Sequence, residues 1–271
     1  MTHRSLGELS GQAFDVVVVG GGSSGAAAAR EAALRGLKTA LVEKGDFGEG
    51  ASTHCFKMVH GGIRYLQHAD IGRLRKSCFE RATMLRIAPH LVSPLPIAIP
   101  TYGWGRHGKP FLGTGMLVYD ALSADRNKAL PDPARRIPGT RFLSPSEILA
   151  EFPDLKRQGL TGAAVFNDGQ MYSTSRLVWA FVDAARAAGA VVANYAEAER
   201  MLTRDGKVVG MVVRDRLTDQ RFEVQAKVVI NASGPWAEGL LESAGVASGR
   251  YRGTYSRDTC FVIDRRYSSP L

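Results

Sequence analysis

The clearest pattern in the chain is an unbroken apolar, β-branched run, V-V-V-V at residues 16–19, that stops at three consecutive glycines. An Ala-rich stretch at residues 26–34 follows at once. A run apolar at every position belongs to a parallel strand buried on both faces, and the alanines suit a helix packed closely on it. A second strand is expected over residues 38–42, ending in Glu43. Ile71, Leu74, Cys78, Ala82 and Leu85 mark one face of a helix that Pro89 ends, with Arg73, Arg75, Lys76 and Arg86 elsewhere around it. Residues 94–100, P-L-P-I-A-I-P, read as a strand of a different sheet. Its prolines cannot donate to a ladder and place it at an edge.

Residues 116–122 belong to an apolar helix, and the Pro- and Arg-rich residues 123–142 are mostly loop. Ser144-Pro145-Ser146-Glu147 is a helix start, with Ser144 as cap and Glu147 completing a capping box. Ser173 or Thr174 caps the next helix, which stops at Gly189 and leads into a strand over residues 190–195. Extended segments at 207–214, 221–226 and 227–231 follow, the first two joined by a turn at 217–219. The last of them ends in a small-residue turn, A-S-G-P-W, before a helix at 237–244 and a closing extended segment at 259–264. The pattern predicts an α/β fold: a Rossmann-like domain whose crossover is a β-meander, plus an antiparallel sheet.

Composition changes this picture little. With 45% hydrophobic and 23% charged residues in 271, the chain is globular, and its apolar runs are too short to span a bilayer. The formal charge of +9 favours an anionic ligand or an anionic membrane surface. No nucleic-acid motif accompanies it, so nucleic acid is not an expected partner. Residues 116–122 read either as core or as a peripheral membrane contact. Three cysteines without C-x-x-C spacing point to a reduced, cytoplasmic compartment and to no metal site.

The candidate chemistry begins at the first strand. Gly20, Gly22 and Gly25 stand in G-x-G-x-x-G spacing: a sharp turn, a close backbone approach to a pyrophosphate, and tight helix–strand packing. The helix behind them, opening with Ser23 and Ser24, presents its free N–H groups to the phosphates. Glu43 lies 23 residues after Gly20, where a carboxylate can accept from an adenosine ribose. A plain βαβ unit is the alternative. A second Gly-containing stretch, residues 57–66, is dense in His, Lys, Arg and Tyr.

Four stretches together resemble the FAD-dependent glycerol-3-phosphate dehydrogenase family, within the D-amino-acid-oxidase-like flavoproteins. They are V-V-V-V-G-G-G-S-S-G, V-E-K-G-D-F, K-M-V-H-G-G-I-R-Y-L and V-V-I-N-A-S-G-P-W, with R-I-A-P-H-L-V-S-P-L-P and D-G-Q-M-Y-S-T-S-R-L also fitting. The resemblance implies that FAD is the cofactor, held by Gly20, Gly22, Ser23, Ser24, Gly25, Glu43, Lys44, Ser52, Thr53, Lys57, Gly61, Gly62, Ala198, Ala232 and Gly234. It implies catalytic roles for His60, Arg64 and Tyr65, and a small anionic substrate such as a polyol phosphate. A quinone or another acceptor would take the electrons, at the inner face of a membrane. His60 can serve as acid/base or only orient its loop, and Arg64 can hold an anion or a structural ion pair.

Two departures loosen the substrate. The family's S-S-K reads C-F-K at Cys55-Phe56-Lys57, and its later K-G-x-H aligns with Arg257-Asp258-Thr259-Cys260. An amine or 2-hydroxy-acid oxidase of the same fold and a non-catalytic FAD-binding fragment are the other readings. Family members are longer, so the chain reads as an N-terminal portion. Residues 1–90 and 167–245 are expected to form the FAD-binding domain, and 91–166 with 246–271 an incomplete substrate domain.

Overall fold

The computed structural model of the chain describes residues 4–105, 108–128, 130–246 and 259. In chain order its elements begin α1 (Leu6–Ser10), β1 (Ala13–Val19), α2 (Ser23–Leu34), β2 (Thr39–Val42), β3 (Met58–Val59), α3 (Ile71–Ile87), β4 (Val92–Tyr102) and α4 (Lys109–Leu122). They continue β5 (Arg141–Leu143), α5 (Pro145–Glu151), β6 (Leu160–Met171), α6 (Thr174–Ala187) and β7 (Val191–Ala193). The last are β8 (Ala196–Arg204), β9 (Lys207–Asp215), β10 (Arg221–Asn231) and α7 (Ala237–Ser243). They gather into two units, residues 4–56 with 173–246, and residues 57–172.

The first unit is built on a six-stranded sheet in the order β7-β2-β1-β10-β9-β8. β7, β2, β1 and β10 are parallel, and β9 and β8 continue from β10 as an antiparallel meander. Val17 and Val19 of β1 join a cluster with Leu9, Met211, Val213 and Leu240 on one face. Val16 and Val18 meet Ala26 and Ala29 of α2, and Val178 and Val182 of α6, on the other. Both faces are dry, which is why the run is apolar throughout. The chain leaves β1 for β2 on one side while β10 lies on the other. Their carboxyl ends therefore form the reversal point at which open α/β sheets bind ligands.

The second unit centres on β6. It pairs antiparallel with β4 along one side and with β3 and β5 along the other. β4 is an edge strand, as its prolines require. Pro94, Pro96 and Pro100 share one parity, so their missing N–H groups fall on the side away from β6. Ala163 and Val165 of β6 pack with Leu143 and Ile148 on one face, and Ala164 and Phe166 with Met116 of α4 on the other. The capping box of α5 forms at Ser144 and Glu147.

Two expectations need correction, and one element was not expected. β6 goes unrecognised in the sequence because its small and polar residues hide its alternation. The segments expected at 221–226 and 227–231 are one strand, whose first part pairs with β9 and whose second pairs with β1. The strand expected at 190–195 ends at Ala193, since Tyr195 turns the chain with φ +51° before β8 begins. Residues 57–90 and 167–172 group with the second unit. β3 pairs with β6, and α3 packs on β4 and β6. The segment expected at 259–264 lies, but for Thr259, outside the described residues.

Leu41 of β2 is wholly buried, whereas Leu34 at the end of α2 is 55% exposed. Leu41→Ala should destabilise the protein by about 2–5 kcal/mol in denaturant titration. Leu34→Ala should change it by under about 0.5 kcal/mol.

Candidate functional site

In the first unit the two small-residue turns meet at the reversal point. Val19 pairs with Asn231, and Ala232 N–H donates to Val19 O at 2.8 Å. Gly20 has φ +104°, and a Cβ there would stand 2.5 Å from Ala232 O. Only glycine fits. A Cβ on Gly25 would collide with the carbonyl oxygen of Gly20, so α2 begins in direct contact with the end of β1. Gly22 is the N-cap of α2 and has no side-chain cap. The first turn carries no acid, Ser23 and Ser24 are exposed, and Ser23 N–H donates to Ser52 Oγ at 3.0 Å. An open, positively polarised helix start approached by bare backbone is what a pyrophosphate requires, so these residues fit the phosphates of a dinucleotide.

Glu43, at the end of β2, does more than its sequence position implies. Its Oε2 accepts from Gly21 N–H at 2.6 Å and its Oε1 from Gly45 N–H at 2.7 Å. The carboxylate thus fixes the glycine turn and keeps further lone pairs for a ribose hydroxyl. Thr53 Oγ1 donates to Gly48 O, and Ser52 lies beside Gly22, placing both on the loop around the glycine turn. Lys44 lies over the Trp236 ring, its Nζ 3.5 Å from the centroid. Ala198 is half-buried in β8, opposite Val213. Gly234 carries φ +60° in the turn after β10.

In the second unit, residues 57–66 are held by β6. Met58 and Val59 pair with Gln170 and Gly169, and Met171 N–H donates to Lys57 O at 2.7 Å. Lys57 itself has φ +57°. The stretches K-M-V-H-G-G and D-G-Q-M are therefore neighbours in one sheet. Asp168, 2% exposed at its side chain, accepts from Gly61 N–H at 2.6 Å through Oδ1, and its Oδ2 lies 3.2 Å from His60 Nδ1. His60 is 64% exposed.

Beneath this loop lies Arg81 of α3, 1% exposed. Its Nη1 reaches Asp168 Oδ1 at 2.7 Å, Asn167 O at 3.0 Å and the Tyr119 hydroxyl at 3.1 Å. Cys78 Sγ donates to Gly61 O at 3.0 Å. Burial pushes the Tyr119 hydroxyl well above the usual phenol range, so it stays protonated. A Cβ on Gly61 would collide with Arg81 Nη1, while Gly62 carries φ +80° at the following turn. Gly61 and Gly62 thus serve internal packing in this unit. Arg64 is exposed and has no ion pair among the described residues, and the Tyr65 ring lies 5.2 Å from the Arg73 guanidinium.

The sequence reading missed Arg81, Asp168 and Tyr119. Arg81 had a readable signal: the 74, 78, 81, 85 spacing puts it on the buried stripe of α3, among Leu74, Cys78 and Leu85. Ile71, assigned to that stripe, is 36% exposed instead.

Comparison with known proteins places these features. The chain is 36% identical to a Synechocystis glycerol-3-phosphate dehydrogenase over 89% of its own length and 43% of that protein's. It is 40% identical to the mitochondrial glycerol-3-phosphate dehydrogenase of Mus musculus over 84% of its length and 31% of the relative's. Against the alpha-glycerophosphate oxidase of Streptococcus pneumoniae the identity is 37%, covering 86% of this chain and 38% of that one. The crystal structure of Bacillus halodurans glycerol-3-phosphate dehydrogenase complexed with FAD superposes with a TM-score of 0.65 at 31% identity, over 88% of this chain and 38% of that one. The chain spans under half the length of these relatives. The model of the family named DAO, FAD dependent oxidoreductase, matches residues 15–261, and the chain belongs to that family.

Proposed function

We propose that this chain supplies the FAD cradle and a catalytic loop of a dehydrogenase that oxidises glycerol 3-phosphate or a related polyol phosphate, passing electrons to a quinone or another acceptor. FAD, when bound, supplies the hydride acceptor. The observation that carries the substrate class is Arg64: an exposed guanidinium without an ion pair among the described residues, four positions after His60. Its planar fork matches a phosphate bidentately. His60 takes the proton of the substrate hydroxyl at Nε2, since Nδ1 is engaged by Asp168. The names of the relatives in mouse, Synechocystis and Streptococcus pneumoniae support this substrate over a carboxylate or an amine.

The FAD-loaded protein, mixed anaerobically with glycerol 3-phosphate, should lose its visible flavin absorbance, and unphosphorylated glycerol should act far more weakly. Bleaching by a 2-hydroxy acid or an amine alone would overturn the substrate assignment. Arg64→Ala should lower kcat/KM by about 10–100-fold, mostly through KM, given ~1.5–3 kcal/mol for hydrogen bonds to a charged group. Gly22→Val, whose side chain would fill the phosphate approach beside Ser52 Oγ, should weaken FAD binding by about tenfold or more, ~1.4 kcal/mol. Flavin retained on gel filtration measures this.

We further propose cytoplasmic placement with peripheral contact at the inner membrane face. Support comes from the net charge of +9 and from α4, where Phe111, Leu117 and Val118 are exposed beside Lys109. No helix among the described residues is long and apolar enough to cross a membrane. Co-sedimentation with liposomes should rise with anionic lipid and fall in Leu117→Asp; indifference to both overturns the contact.

A further inference from the structure

The proposed function gives Asp168 no role beyond its contact with His60 Nδ1; it is a carboxylate 2% exposed on the central strand of the second sheet. Its contacts divide by oxygen. Oδ1 holds the Gly61 N–H at 2.6 Å and the Arg81 guanidinium at 2.7 Å. Oδ2 lies 3.2 Å from His60 Nδ1. A carboxylate paired with arginine is an acceptor only, so the proton in this contact sits on His60 Nδ1. That leaves Nε2 of a neutral His60 with a bare lone pair. The other polar groups packed on Asp168 do not compete for Oδ2: Tyr119 bonds to Arg81, and Cys78 to Gly61 O. His60 is 64% exposed, so the rest of its ring is open to approach.

We infer that Asp168 is a positioning residue for His60: it selects the tautomer protonated at Nδ1 and fixes the ring, so that Nε2 is the atom that accepts the substrate's hydroxyl proton. This rests on the reading of His60 as the proton acceptor. The step balances simply. The O–H bond of the alcohol breaks and the proton binds Nε2; the pair left on oxygen forms the carbonyl π bond as the carbinol C–H bond breaks, and FAD, when bound, would supply the acceptor for that hydride. Arg81 contributes indirectly, since its buried charge keeps the Asp168 oxygens in place. A tautomer set by the partner of the other ring nitrogen is a general device of histidine chemistry.

Asp168→Asn separates positioning from folding. Its oxygen can still accept from Gly61 N–H, but the amide presents donors, so His60 Nδ1 must accept and Nε2 carries the proton. In FAD-loaded protein, the first-order rate of anaerobic flavin reduction by glycerol 3-phosphate should fall by about 100-fold with unchanged KM and flavin spectrum, while the melting temperature falls because Arg81 loses its buried counter-charge. A purely structural Asp168 would also move KM and the flavin spectrum, and would spare the rate. His60→Gln, measured alongside, tells the two readings apart. Should His60→Gln reduce flavin at the parent rate, the proton role of His60 fails and the positioning role with it. A slow His60→Gln beside a normal Asp168→Asn overturns the positioning alone. The double variant should be no slower than the slower single one.

If Asp168→Asn does not fold, the unsubstituted protein still decides. Long-range 15N correlation on histidine-labelled protein, with only six histidines and His60 assigned by its loss in His60→Gln, reads the tautomer directly. A protonated Nδ1 and bare Nε2 in the neutral imidazole are expected. The reverse pattern overturns the inference.

Discussion

The second unit is arranged around a buried ion pair. Arg81 and Asp168 are each all but excluded from solvent, and removing two charges from water costs several kcal/mol apiece. Only close geometry offsets that cost, and here it ties four segments together: α3 through Arg81, β6 through Asp168 and Asn167 O, α4 through Tyr119, and the glycine loop through Gly61. One nitrogen, Nη1, makes all of the Arg81 hydrogen bonds, while Nε and Nη2 find no partner among the described residues. An arrangement that leaves buried donors unused is poorly suited to maximal stability. It is well suited to fixing one loop conformation, and that loop carries the exposed His60 and Arg64.

The first unit solves its problem by subtraction. At the end of β1, Gly20 faces Ala232 O, and Gly25 abuts the Gly20 carbonyl. No side chain can be added without moving backbone, so the helix start and the strand ends converge on a surface made of main chain. Such a surface recognises what all dinucleotides share, their phosphates, and says little about chemistry. Specificity has to come from side chains elsewhere.

That division explains what could be read from the sequence. The β1 run, the glycine spacing and Glu43 were legible because each is local: strand, turn and helix start are contiguous in sequence. The prolines of β4 likewise announced an edge strand. β6 was not legible, because A-A-V-F-N-D-G lacks a period-two contrast. Its two faces are both buried, one under α5 and the other under α4. The Arg81–Asp168 pair was harder still. Its members are 87 positions apart, and an arginine within a basic helix looks like one more solvated charge. Only its place in the 74, 78, 81, 85 stripe marked it as buried.

The two units nonetheless use the same device. In each, a carboxylate on or just after a strand accepts main-chain N–H groups from a glycine turn: Glu43 from Gly21 and Gly45, Asp168 from Gly61. Glycine turns have many accessible conformations, and an acceptor at a strand end narrows them without filling the space a ligand needs. The difference lies in what remains on each carboxylate. Glu43 is half-buried and forms no ion pair among the described residues, so its free lone pairs stay available for a hydroxyl. Asp168 is tied to Arg81 on one oxygen, and its other oxygen meets His60. One acid holds a turn with lone pairs to spare, and the other holds a turn and meets an exposed imidazole. The same backbone chemistry is thus set in an open environment in one unit and a closed one in the other, and under the proposed function it serves recognition in the first and reactivity in the second.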